Sequence, residues 1–212
     1  HANEVYLRCD AEKPILALRD KVLEVMGPKR IHIQQSPPYS HQSMGAVESV
    51  NAFHAAQFRT WLSVMRERFP ALDVDASHVL AAWIPRHVAW CNARFHSKNG
   101  ITPYRATHGV EYNRPITPFG ECVMAKIADI HSISKQKPRW VQAVWIGRLD
   151  ADDSHLLLSE EGMMQARSVR RLPFPACANA DVASQCVGLP WAPKDGMRKH
   201  KAKKLKSLPE PE

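Results

Sequence analysis

The sequence lacks the residue patterns of several large classes of protein. It contains no C-x-x-C pair, and its five cysteines are an odd number in a chain of 212 residues. Such a set predicts neither a disulfide scaffold nor a cysteine-rich zinc site, and it suits a reducing compartment. No H-E-x-x-H motif and no internal repeat is present, and no apolar run is long enough to span a bilayer. What remains is the composition of a globular protein, 44% hydrophobic and 24% charged.

Acidic residues are also scarce relative to basic ones. The chain has 29 Lys and Arg against 21 Asp and Glu, which gives a formal net charge of +8. A basic excess of this size indicates an anionic partner, most commonly nucleic acid; a chain that is basic without such a partner is the alternative. Residues 194–206 alone hold seven Lys or Arg against one Asp. This run predicts a flexible tail that binds nucleic acid or directs nuclear import, through residues such as Lys199, Lys203 and Lys204, or a tail that only solubilises.

Periodicity divides the chain into an α/β part, a helical part and a β part. Residues 4–9 and 30–35 alternate as strands do, and residues 14–27 between them have helical spacing. Strand, helix and strand in this order are the unit of a parallel sheet. A long helix is predicted from about 44 to 68, and another over 76–93 that is broken or kinked at Pro85. From Phe119 onward, short β-like runs with turns predict a small antiparallel sheet or barrel.

The predicted organisation therefore has four parts. They are residues 1–70 as an α/β unit, 71–117 as a helical segment, 118–173 as a small β-domain, and 174–212 as a flexible tail rich in Pro and Lys. The chain begins with His1 rather than Met, so we expect a piece of a longer protein.

One acid, Glu48, lies in the first turn of the long helix. At 100° per residue the apolar side chains of this helix share one face that we expect to be core: Ala46, Val47, Val50, Phe53, Phe58, Trp61, Val64 and Met65. Glu48 falls on the opposite side, with Asn51 at its edge and Arg59 and Arg66 further along, where an anionic polymer could bind. The simpler alternative is a carboxylate that favours the start of a helix.

A second acid, Asp10, gives Glu48 a partner. It ends the first predicted strand, where sites of parallel α/β sheets collect, and 37 residues separate it from Glu48. Strand, helix, strand, loop and helix fit into this interval, so the two carboxylates can converge. Paired carboxylates are ligands for Mg²⁺, and metal pairs held in this way catalyse phosphodiester transfer.

The sequence around these acids resembles the catalytic core of retroviral and LTR-retrotransposon integrases, which are RNase H-like DDE recombinases. The run PYSHQSMGAVESVN, residues 38–51, resembles the family's signature around its third catalytic acid, and VYLRCD, residues 5–10, resembles the strand that ends in the second. Residues 91–109, 119–125 and 140–173 are similar to the segments that follow the core in copia-type Pol polyproteins. The resemblance covers residues 4 to about 173.

The resemblance implies a fold and a site. It implies a partial RNase H-like α/β core, a small antiparallel β-domain, and DNA integration at a Mg²⁺ or Mn²⁺ pair held by Asp10 and Glu48. It also places Asn51 on the DNA-facing turn, and Tyr39 and Gln42 in the loop beside the scissile phosphate. DNA as partner, a homo-oligomer in the intact integrase and a nuclear location belong to the same expectation.

Several family features are missing. The family's D-N-G-x-E run is DAEKP here, Ala52 and Ala55 stand where relatives often have lysine, and the strands that carry the first catalytic Asp are not in the sequence. We therefore expect the isolated chain to be inactive in strand transfer and marginally stable. A non-catalytic DNA-binding remnant or an exapted transposon-derived protein is the rival hypothesis, and an unrelated RNA-binding module is the third.

Other candidates lie in the β part. Arg167, Arg170 and Arg171 could contact phosphates. The acidic turn made of Asp150, Asp152 and Asp153 is expected to be a solvated hairpin loop. Four tryptophans could stack on bases but are expected in the core: Trp83, Trp90, Trp140 and Trp145.

Overall fold

The computed structural model describes residues 5–9, 12–27, 31–35, 45–127 and 139–192. The chain forms two compact units, residues 1–55 and 56–212. No helix in the described ranges is both long and apolar enough to cross a membrane.

The first unit is a parallel strand–helix–strand. Strand β1 spans Val5–Cys9, helix α1 spans Lys13–Met26 and strand β2 spans Ile31–Gln35. The strands pair in parallel, with Val5 opposite Ile31 and Cys9 opposite Gln35. Pro14 lies in the first turn of α1, where its missing N–H costs nothing, and Gly27 closes the helix at a φ of 77°. The strand–helix–strand prediction is confirmed.

This unit buries little of its apolar surface. Among its residues whose burial is described, only Cys9 is buried, while Leu18 is 65% exposed and Val25 is 76% exposed. In the described residues its sheet has two strands, and Ile33 on β2 is 47% exposed. So little burial in the described residues contributes little to the stability of this unit.

The long helix, α2, spans Gly45–Arg68, close to the predicted bounds. Its second half is packed, with Leu62 and Met65 buried. The prediction that the apolar face of this helix is core is wrong for its first half, where Val47 and Val50 are about half exposed. Periodicity determines which side chains share a face, but not whether another element covers that face.

The next helix, α3, spans Val79–Phe95 and is followed by a short helix, α4, at Pro103–His108. Pro85 was expected either to break or to kink this helix. It does not break α3, because the helix continues through it. An interior proline costs about 3 kcal/mol or more. Here α3 buries eight of its side chains, and that packing offsets the cost.

An antiparallel sheet forms in the second unit, as predicted, and its described part has five strands. They are β3 (Cys122–Lys126), β4 (Trp140–Arg148), β5 (His155–Ser159), β6 (Gly162–Ala166) and β7 (Val169–Arg171), in the spatial order β6-β5-β4-β3-β7. Strands β6 and β7 lie at opposite edges, which in a flat sheet would be about 19 Å apart. The step from Ala166 to Val169 reaches at most about 11 Å. The sheet therefore curls strongly, as a small barrel does.

Both faces of this sheet are covered. One face packs against the helices in a core that includes Leu62, Met65, Trp83, Ile84, Val88, Cys122, Val144, Ile146, Leu156 and Leu158. The other face encloses a smaller cluster of Val123, Ala125, Ala143, Trp145, Leu157 and Ala166. The helical segment and the sheet thus share one core.

The chain after β7 continues this packing, which differs from the flexible tail expected from residue 174. A short 3₁₀ turn at Ala176–Ala178 leads into helix α5, Ala180–Gln185, whose N-terminal N–H groups donate to the side chain of Asn179. Ala183 and Cys186 are buried, because small residues at this spacing fit the sheet surface. The Lys-rich run itself lies in residues 193–212, outside the described part of the chain.

A buried histidine makes the stability of this unit sensitive to acid. The Nε1–H of Trp145 donates to Nδ1 of His155 at 3.0 Å, and burial lowers the pKa of His155 to about 4. Below pH 6.5 this histidine therefore takes up a proton when the protein unfolds. Its contribution to the free energy of unfolding is fully present above pH 6.5 and is lost as the pH falls toward 4.

We expect the His155→Asn variant, which keeps an acceptor but does not titrate, to show a flatter pH dependence of the free energy of unfolding. The difference should approach about 1.4 kcal/mol per pH unit between pH 6.5 and 4, the slope for one proton. Urea unfolding at a series of pH values measures it. The remaining histidines are common to both proteins, so parallel curves would contradict this assignment.

Candidate nucleic-acid interface

The expected metal site is represented in the described residues by Glu48 alone. This carboxylate lies in the first turn of α2 and is exposed. Asp10 directly follows the last residue of β1 and lies outside the described residues. In the described ranges no group of three or more His, Cys, Asp or Glu could hold a metal ion. The Mg²⁺ pair therefore stays a prediction.

Five of the residues predicted to contact DNA lie outside the described part of the chain. They are Tyr39, Gln42, Lys199, Lys203 and Lys204.

Three predicted contacts lie on α2. Asn51 and Arg59 are exposed there. Arg66 is exposed as well, but its Nε donates to the carbonyl oxygen of Val74 at 2.9 Å. Part of its hydrogen-bonding capacity therefore fastens the loop after α2, and part remains for a ligand.

Basic and aromatic side chains meet at the β7 edge of the sheet. The guanidinium carbon of Arg170 lies 4.5 Å from the ring centre of Trp140, a cation–π contact. Strand pairing places Lys126 opposite Trp140, and Arg139 directly precedes Trp140 in the chain. We call Arg170, Trp140, Lys126 and Arg139 the Arg170 patch. A partly exposed tryptophan among cations suits a nucleic-acid strand, because phosphates pair with the cations and bases stack on the ring.

Arg167 is exposed but lies nearer the acidic turn, where the hydrogen bonds from Ser154 and then the charge of Arg167 lower the pKa of Asp152.

Arg171, the third arginine considered on this strand, has another role. Its Nε and Nη2 donate to the two carboxylate oxygens of Glu121 at 2.6 and 2.8 Å, and Glu121 is buried. The hydrogen bonds to Glu121 raise the pKa of Arg171. A buried carboxylate requires such a partner, so Arg171 serves the fold rather than a phosphate.

Three of the four tryptophans are in the core, as predicted. Trp83, Trp90 and Trp145 are at most 5% exposed.

The acidic turn after β4 is more than a solvated loop. Arg94 on α3 is 8% exposed, and its Nη2 donates to Asp150 at 2.9 Å. Arg148 at the end of β4 is 7% exposed and donates through Nη1 to the carbonyl oxygen of Asp153 and to its Oδ2 at 3.2 Å. The turn thus compensates two buried guanidinium groups, which sequence reasoning missed because arginine is normally exposed.

A cavity of about 200 Å³ lies beside these arginines, where α3 faces the end of β4. Its lining is strongly basic and contains Arg86, His87, Ala89, Trp90, Ala93, Arg94, Ile146, Gly147, Arg148 and Asp150. No prediction from the sequence pointed to this place.

No protein-family model matches the sequence, and no curated protein matches it either. Function must therefore be argued from the residues themselves.

The Arg170 patch can be tested through the salt dependence of DNA binding. We expect Arg170→Gln to weaken binding of a short duplex and to reduce the slope of log K against log salt by about one, because one phosphate contact is lost. Fluorescence anisotropy at several salt concentrations measures both. Arg105→Gln is the matched control, since Arg105 is exposed and pairs with Glu111. Equal slopes for the two variants would remove the patch from the interface.

Proposed function

We propose that this chain is part of a DNA-integration protein of the LTR-retrotransposon integrase type. In this proposal residues 1–70 correspond to the C-terminal half of an RNase H-like core, and the following residues bind nucleic acid. The observation that carries it is the parallel β1–α1–β2 unit followed by α2, with an exposed Glu48 in its first turn. This is the order of elements that the sequence resemblance implies.

The proposal assigns the metal chemistry to residues that are only partly described. A Mg²⁺ or Mn²⁺ pair supplies activation of the attacking oxygen and neutralisation of transition-state charge. Among the described residues Glu48 is the one carboxylate assigned to it, and a single carboxylate does not make such a site. We therefore derive no catalytic step through the metal. Glu48 is proposed as a ligand, together with Asp10.

DNA binding has support of its own. The chain carries a net charge of +8, and the Arg170 patch places aromatic and basic side chains together on the surface. Both features favour a polyanion whose strength of binding depends on salt.

A second candidate function is a non-catalytic DNA-binding protein derived from such an element. It is favoured by the contrast between the two units. The first buries one described residue, Cys9, whereas the second has a continuous core and the Arg170 patch. A protein that retained only DNA binding would need the second unit and not the metal ligands.

Paramagnetic Mn²⁺ distinguishes the two candidates. In the integrase reading, we expect Mn²⁺ to broaden the amide NMR signals around residues 45–51, and Glu48→Gln to remove this broadening because a ligand is lost. Glu67→Gln changes an exposed acid of the same helix and should leave it intact. Unchanged spectra in all three proteins, with salt-dependent DNA binding preserved, would refute metal binding and support the non-catalytic candidate.

A further inference from the structure

The cavity between α3 and β4 is formed by an irregularity in the sheet. The register of β4 against β5 shifts between Trp145 and Gly147, which is a β-bulge, and Gly147 has a φ of 146°. A side chain is strained in that conformation, and a Cβ there would stand 4.0 Å from Nδ1 of His87. Bulges and strand glycines often mark places where a ligand approaches the backbone. Gly147 lies in this wall of the cavity.

The cavity carries an excess of positive charge. Three of its lining residues are arginines, Arg86, Arg94 and Arg148, and one is an acid, Asp150. Asp150 pairs with Arg94, and Asp153 in the same turn pairs with Arg148. Within the described ranges Arg86 has no ion pair, and its guanidinium lies 6.0 Å from the ring centre of Trp83. One cation at the cavity is thus left without a carboxylate.

The lining residues also hold hydrogen-bonding atoms that have no partner. Four buried side-chain nitrogens are unpartnered in the described part of the chain: Nδ1 of His87, Nε1 of Trp90, and Nε of Arg94 and of Arg148. All four belong to residues that line this cavity. Leaving a buried polar group without a partner costs about 1–3 kcal/mol. Their coincidence at one place indicates a missing ligand.

Three of the four nitrogens have the same role. Indole and guanidinium nitrogens can only donate. For His87, Sγ of Cys91 lies 3.4 Å from Nε2. Burial raises the pKa of Cys91 to about 11 and lowers the pKa of His87 to about 4, so a thiol faces a neutral ring. Either the thiol or the ring nitrogen can donate in this contact, depending on the tautomer, so the contact does not fix a proton on Nδ1. The other three unpartnered nitrogens are N–H groups of residues that line the cavity, and they need acceptors.

We propose that this cavity binds a phosphate group, and that the phosphate belongs to a nucleic-acid backbone. A phosphate offers only acceptors around a tetrahedral centre, carries negative charge and is a preferred partner of arginine. None of the four nitrogens is exposed to solvent, so an anion in the cavity reaches them only after the surrounding side chains move. The preference for phosphate follows from the cavity alone, whereas the assignment to DNA rests on the proposed function.

The first experiment titrates inorganic phosphate into the full chain at constant ionic strength. The readout is the indole N–H signal of Trp90, identified with Trp90→Phe, which should move saturably as the N–H gains an acceptor. Ala89 is exposed on α3 and lines the cavity, so Ala89→Glu adds repulsion without disturbing the core. We expect it to weaken phosphate binding about tenfold or more, the effect of a like charge a few ångströms away.

Matched variants show whether the loss of phosphate binding depends on the added charge and on the place where the charge is added. Ala89→Gln has similar size without the charge, and Gln165→Glu adds a charge at an exposed position on β6. Both should bind phosphate as the unmodified chain does. Arg86→Gln, which removes the unpaired cation, should weaken binding as Ala89→Glu does. A Trp90 signal that does not saturate, or an equal effect of Ala89→Glu and Gln165→Glu, would overturn the phosphate site.

The second experiment identifies the source of the phosphate. A short DNA duplex should bind Ala89→Glu more weakly than Gln165→Glu, with a smaller salt slope. If inorganic phosphate binds but the two variants bind DNA equally, the assignment to a nucleic-acid backbone is overturned and the ligand is a free phosphate. If DNA binds through the Arg170 patch while phosphate does not enter the cavity, the cavity proposal fails and the proposed DNA binding stands.

Discussion

The contact between α3 and β4 determines most of what is distinctive in the second unit. Helix α3 buries Trp83, Ile84 and Val88 against the sheet, and the same face carries His87 and Arg94. Once the helix is packed, the side chain of Arg94 is largely removed from water, and so is that of Arg148 at the end of β4. Two buried cations require compensation, so the acidic turn folds back onto them. The compensation is incomplete, and the unmatched donors that remain are the basis of the proposed phosphate site.

Periodicity within short stretches of the sequence predicted most of the helices and strands correctly. Alternation in β1 and β2 and helical spacing in α1 were sufficient for the parallel unit, and α2 ends within a residue of its expected bounds. Runs rich in β-formers likewise predicted the antiparallel sheet. The same logic failed for the first half of α2, because an apolar face indicates core only if another element covers it.

Long-range features could not be predicted in this way. The burial of Arg94 and Arg148 arises from elements about fifty residues apart in the chain, and arginine in a sequence indicates surface. Helix α5 was missed because a six-residue helix has too little periodicity, and its packing depends on two small residues, Ala183 and Cys186. Within the candidate site, the acidic turn was recognised as a turn, but its role became evident only from the arginines beneath it.

DNA binding by the second unit is the central claim, and its most direct measurement is a crystal structure of the chain with a short DNA duplex. We expect a backbone phosphate in the cavity lined by Arg86, Arg94 and Arg148, within hydrogen-bonding distance of the indole nitrogen of Trp90. We also expect nucleic acid against Trp140 and Arg170. Duplex bound elsewhere on the protein, with both places unoccupied, would contradict the claim.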